Sequence, residues 1–93
     1  MNDEECNGWS NSETWAVDLW LSNDEGMYKD ISRIVRRSYN VEKAERGIRE
    51  YVEELKEMVN DGQAGEELIS MFNDIGNMQR VDWEEIVEAW WEE

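Results

Sequence analysis

The sequence predicts an all-α fold, a compact single domain built as a bundle of four or five short helices. Three observations predict it. Apolar residues recur at three- and four-residue spacing along nearly the whole chain, and no stretch alternates with period two. Turn signals at Asn23-Asp24, Tyr39-Asn40 and Asp61-Gly62 cut that pattern into helix-length pieces. The chain has 93 residues and no proline, which suits one core of short helices joined by tight turns. Residues 1–93 are read as one acidic helical domain, with 1–9 as a flexible N-terminal segment.

The first helix is expected to start at Ser10, because Ser10 and Glu13 have the spacing of a capping box. It runs through Trp15, Ala16, Val17, Asp18, Leu19, Trp20 and Leu21 and ends near Ser22-Asn23. It is apolar almost all round. Such a helix is either the buried centre of the bundle or an interface to a second copy, and both readings stay open. The second helix carries Met27, Ile31, Ile34 and Val35 on one face. The third has one stripe, Ala44, Ile48, Tyr51, Val52, Leu55 and Val59, and Asp61-Gly62 stops it with a left-handed glycine. In the fourth, Leu68, Ile69, Phe72 and Ile75 should face inward. The last has the best start signal: Asp82 as cap, Glu85 three residues on, and Val81 with Ile86 as a hydrophobic staple. Trp83, Ile86, Val87 and Trp90 then share its buried face.

Charge is the dominant feature of the composition. Twenty-four Asp and Glu stand against nine Lys and Arg, a formal net of −15. Residues 1–30 carry −7, residues 31–60 carry +1 and residues 61–93 carry −9, so the acid lies at both ends. Six Trp, three Tyr and a 40% hydrophobic content are too much for a disordered acidic tail. No apolar run approaches a membrane span and no signal peptide opens the chain, so a cytoplasmic protein with no membrane partner is expected.

The same counts exclude most chemistry. There is no histidine, hence no His base and no Glu-x-x-His di-iron site, although Glu50, Glu53, Glu54 and Glu57 have bundle-metal spacing. Ahead of Gly26, Leu21, Asn23 and Glu25 occupy positions that a calcium loop needs filled otherwise. Cys6 stands alone among acids that raise a thiol's pKa, which excludes an intramolecular disulfide and disfavours a reactive thiolate. No glycine-rich phosphate loop and no nucleophile with a base are present. The expectation is a protein without catalytic residues, metal or cofactor.

The six tryptophans invite a stacking role, but base stacking comes with a basic groove, and these lie mostly in acidic segments. Trp15, Trp20, Trp83 and Trp90 are read as core. Trp9 precedes the first helix and is read as its cover or as an exposed anchor, and Trp91, off the apolar stripe near Glu84 and Glu88, is the other anchor candidate. Arg33, Arg36 and Arg37, with Lys43, Arg46 and Arg49, form the basic cluster. It is read as internal neutralisation by nearby carboxylates and not as a phosphate stripe, so no nucleic acid is expected to bind directly.

What remains is acidity. Duplex DNA carries one charge per ~1.7 Å, so a ~30 Å length matching a domain of this size holds about 18 charges, the same order as the protein's own. Helical carboxylates about 5–6 Å apart can stand where a protein expects phosphates. The expected contact residues point away from the apolar stripes: Asp18, Asp24, Glu25 and Asp30 toward one end, Glu66, Glu67 and Asp74 in the fourth helix, and Glu84, Glu88 and Glu92 beside Trp91. The competing reading is an interaction module, or a homodimer through the first helix, whose acidity serves salt adaptation or solubility.

The segment from Asn7 to Gly26, with Ser10-Asn11-Ser12-Glu13-Thr14-Trp15-Ala16-Val17-Asp18-Leu19-Trp20-Leu21 at its heart, resembles the opening of a family of small phage, plasmid and archaeal proteins. That family begins Ser-Asn-x-Glu-Thr-Trp-x-Val-x-Leu-Trp-Leu-x-Asn-Asp. The tail Val81-Asp82-Trp83-Glu84-Glu85-Ile86 is similar to that family's C-terminal motif. The resemblance implies a mobile-element setting and no catalytic residue. In that setting, small acidic helical proteins look like DNA-mimicking antirestriction and anti-CRISPR proteins. That likeness is one of kind and implies a partner with a positively charged DNA-binding groove, in the host or in a competing element.

Overall fold

The computed structural model describes residues 7–92. Five helices follow one another: α1 (Ser12–Asn23), α2 (Glu25–Arg37), α3 (Val41–Asn60), α4 (Glu66–Ile75) and α5 (Trp83–Trp91), with a 3-10 turn at Met78–Arg80 before the last. The all-α reading is correct. Helices α1 to α4 form a ring in which each touches the next and α4 closes back on α1. Helix α5 packs against α3, α1 and α2. Val17, Leu21, Ile31, Ile48, Val52, Met71, Ile86 and Val87 are fully buried where these elements meet. Each such side chain is worth roughly 1.5–3 kcal/mol of burial.

Helix starts are set by short polar caps. Asn11, not Ser10, caps α1: its Oδ1 accepts the Thr14 N–H at 2.8 Å. The shift by one residue has a tertiary cause. Asn11 Nδ2 also donates to the Arg80 carbonyl at 2.8 Å, while the Ser10 N–H donates to Glu85 Oε1 at 3.2 Å. Asp24 serves two helices: its N–H closes α1 on Trp20, and its Oδ1 accepts the Met27 N–H of α2 at 2.9 Å. Asn40 caps α3 through the Lys43 N–H. At the other end of α3, Gly62 (φ +75) lets the Gly62 and Gln63 N–H groups reach back to Val59 and Met58, a Schellman stop.

Helix α1 packs against α2, α4, α5 and the 3-10 turn, which accounts for its apolar circumference. Thr14, Ala16, Val17 and Leu21 are buried, Trp15 and Trp20 are half-buried, and Leu19 remains exposed. In α4 the expected inward set needs one change: Met71 is buried and Ile69 is exposed. Leu68, Met71, Phe72 and Ile75 make the stripe. Gly47 is where α3 leaves room for Ile34 of α2, because a Cβ there would stand 2.6 Å from Ile34 Cγ2.

Of the N-terminal segment, residues 1–6, including Cys6, lie outside the described residues. Trp9, the last residue of the expected segment, is half-buried and packs on the core.

Candidate functional site

Ring closure joins what the sequence keeps apart. Residues 7–24 and 61–92, the two stretches that carry α1, α4 and α5, hold twelve carboxylates and one base, Arg80. Residues 25–60, which form α2 and α3, hold eight acids and eight bases. Helix α1 touches both α4 and α5 and so links the two acidic ends into an acidic half made of these three helices, although α5 rests chiefly on α3. That half is stitched together by its own carboxylates. Asp18 Oδ1 accepts the Trp90 indole N–H at 2.8 Å, tying α1 to α5, and Asp74 Oδ2 accepts the Trp20 indole N–H at 3.2 Å, tying α4 to α1. At the α5 start, the Asp82 N–H donates to Oγ1 of the fully buried Thr14 at 2.9 Å. Asp82 itself caps α5 by accepting the Glu85 N–H. The Glu85 carboxylate therefore does not close the expected capping box on Asp82; it reaches across to Ser10.

The expected contact residues divide accordingly. Glu66, Glu84, Glu88 and Glu92 are exposed and, among the described residues, make no ion pair, so their charge faces solvent. Asp18 and Asp74 lie in the same half but position indoles. Asp24 caps α2. Glu25 and Asp30 belong to the neutral half, where Glu25 pairs with Lys29 at 3.2 Å and Asp30 with Arg33 at 3.3 Å. Asp30 also accepts the Tyr51 hydroxyl at 2.6 Å, and burial together with that bond pushes the Tyr51 phenol well above its ordinary range. Trp91 is exposed at the end of α5, as expected.

Asp24 and Glu67 stand within hydrogen-bonding reach across the junction of the α1–α2 turn with α4. The Met27 N–H, followed by the bond to Glu67, holds Asp24 below its ordinary value. The bond to Asp24 and its negative charge hold Glu67 above its own. Two carboxylates share this corner, and among the described residues neither has an ion pair with a base. Among the described residues no group of three or more potential ligands could hold a metal ion.

Only part of the basic cluster is internally neutralised. Arg33 pairs with Asp30, and Arg49 pairs with Glu53 at 3.0 Å. Lys43 lies over the Tyr39 ring at 5.9 Å. Arg36, Arg37 and Arg46 make no ion pair among the described residues, contrary to the neutralisation expected for the whole set. Arg36 opens onto a cleft of about 500 Å³ between α2 and α5, walled by Tyr28, Trp90 and Trp91. The sequence signal for that cleft was Trp91 standing off its helix's stripe; its pairing with α2 was not readable. A smaller notch of about 270 Å³, between Leu19, Trp20, Asn23 and Asp74, lies on the acidic half.

No curated protein and no solved structure matches the chain. A family of unknown function, DUF7249, matches residues 2–93, and the chain belongs to that family.

Proposed function

We propose that this protein is an anti-defence protein of a mobile genetic element, acting as an anti-CRISPR or antirestriction inhibitor. It binds a DNA-handling effector and occupies the effector's DNA site with its acidic half. One observation carries the reading: the stretches that carry α1, α4 and α5 hold twelve carboxylates against a single arginine, while residues 25–60, with α2 and α3, are balanced. The molecule measures 38 × 34 × 21 Å, so its long dimensions match one duplex turn of about 34–36 Å. Glu66, Glu84, Glu88 and Glu92, uncompensated and exposed, supply the phosphate-like charge, and Asp18 and Asp74 are held in fixed positions by indole donors. A basic groove would be steered onto this half and held by ionic contacts. The mobile-element setting rests on the resemblance of the Asn7–Gly26 segment.

The test is a charge-reversal comparison against the partner retained from a host lysate. Glu84→Lys with Glu88→Lys should weaken binding several-fold while the helical circular dichroism spectrum persists. Glu53→Lys with Glu57→Lys, in the balanced half, should change it little. If the second pair abolishes binding and the first is silent, the acidic half is not the contact surface.

A second reading is favoured by Leu19, the large apolar side chain of α1 that is exposed, at 39%, beside half-buried Trp20. In that reading α1 meets a second copy, and Leu19→Glu converts a dimer into a folded monomer. Mimicry and dimerisation part on salt: ionic contacts weaken steeply as salt rises, whereas apolar ones do not.

A further inference from the structure

The cleft between α2 and α5 has a chemistry opposite to the rest of the surface. About a quarter of the chain is Asp or Glu, yet no residue lining this cleft is acidic. Its back wall is Trp90, which is 5% exposed and locked in place by its indole bond to Asp18 at 2.8 Å. Tyr28 stands against Trp90, ring centroids 5.2 Å apart and tilted by 51°. Trp91, on the next position of α5, leaves ring surface open at the rim. Facing these rings is Arg36, a cation without an ion pair among the described residues in a protein with 24 carboxylates. Ser32 adds a hydroxyl, and a second cleft of about 400 Å³ shares Tyr28, Ser32 and Arg36 and reaches Lys29 and Arg33.

We propose that the α2–α5 cleft is a binding site for a small aromatic anion of the nucleoside-monophosphate kind, its ring stacked on Trp91 and Tyr28 and its phosphate held by Arg36. The volume lies within the roughly 300–1,000 Å³ of small-molecule sites. Aromatic faces accept a planar base of any identity, and a guanidinium binds phosphate oxygens in a bidentate fork. The cation and most of the lining belong to the balanced half, and at physiological salt carboxylates more than the screening length of about 8 Å away are largely masked from a small anion. A polynucleotide would fare worse. A strand leaving the cleft along α5 meets Glu88 and Glu92, so a single nucleotide fits and a longer strand is repelled. The site does not rest on the acidic-half reading: Trp91 borders both surfaces, but the anion is held by Arg36, a cation of the balanced half.

Adenosine 5′-monophosphate is the probe, titrated into the full chain and followed by tryptophan fluorescence and by indole N–H shifts in NMR. Saturable quenching is expected, with the Trp90 and Trp91 signals moving most. Adenosine should bind about tenfold or more weakly, and inorganic phosphate should leave the fluorescence unchanged. Arg36→Ala and Trp91→Ala should each weaken binding by about tenfold with an unaltered circular dichroism spectrum, since both side chains are exposed. Glu66→Lys, on α4, should bind the nucleotide as wild type does. The site is overturned if quenching does not saturate by about 10 mM, or if Arg36→Ala titrates as wild type. A single-stranded tetra-adenylate that binds more tightly than the mononucleotide also overturns the assignment.

Discussion

The two halves of this bundle handle charge in opposite ways. In α2 and α3, ion pairs are local, between residues three or four apart: Lys29 with Glu25, Arg33 with Asp30, Arg49 with Glu53. In α1, α4 and α5, carboxylates are served mostly by neutral donors, namely the indoles of Trp20 and Trp90 and backbone N–H groups at helix starts. Arg80 beside Glu13, at 3.7 Å, is the ion pair among the described residues of that half. A neutral donor fixes a carboxylate's position and leaves its charge intact; a lysine or arginine cancels it. The acidic half is therefore organised and still charged, and its six-tryptophan chain supplies two of the donors.

If indoles organise the acidic half, removing one should cost more than any surface change. Trp90→Ala empties a core position and frees Asp18, and is expected to lower stability by about 3–5 kcal/mol in urea denaturation. Thr14→Val keeps the shape but leaves the Asp82 N–H without its acceptor, for a loss of about 1–3 kcal/mol. In the balanced half, Gly47→Ala drives a methyl into Ile34 and should cost about 1–3 kcal/mol by overpacking, with no change in the net charge of either half.

Salt separates the halves more gently. The melting temperature should rise with added salt, as self-repulsion is screened. Neutralising Glu84, Glu88 and Glu92 to Gln should remove more of that rise than neutralising Glu50, Glu54 and Glu57. An equal effect would mean that the charge is spread evenly and the two halves are not distinct.

The smallest effect is at Asp24 and Glu67. Asp24 is held low, so it adds stability above the ordinary carboxylate range that fades as pH falls through its folded-state value. Glu67 is held high, so its ionised form opposes folding at neutral pH, and that opposition lifts as pH falls through its raised value. Glu67→Gln should raise the melting temperature slightly at pH 7 and make no difference once pH drops below about 4.

Much of the fold is legible in the sequence, because short-range signals do most of the work. The Ala44 to Val59 stripe, the Asp61-Gly62 stop and the Asp82 cap all act within a few residues. The misses are tertiary. Ser10 and Asn11 are both good caps, and the bonds that choose between them, Asn11 to Arg80 and Ser10 to Glu85, span 69 and 75 positions. Met71 completes an i, i+3, i+4, i+7 pattern with Leu68, Phe72 and Ile75, a signal that could have displaced Ile69. The two motifs behind the family resemblance meet in space, with Asn11, Glu13 and Thr14 bonding to Arg80 and Asp82. Much of what those motifs encode is therefore the clasp between the starts of α1 and α5. At the candidate surface, free and employed carboxylates look alike in sequence. The partners of Asp18 and Asp74 lie 72 and 54 positions away.

Competition with DNA separates mimicry from every other use of the acidic half. The protein is immobilised, its partner is captured from a host lysate at low salt, and duplex DNA is added. Mimicry predicts that DNA displaces the partner, that no complex contains protein, partner and DNA together, and that Glu84→Lys with Glu88→Lys captures several-fold less. A partner that stays bound while it also takes up DNA would contradict the account.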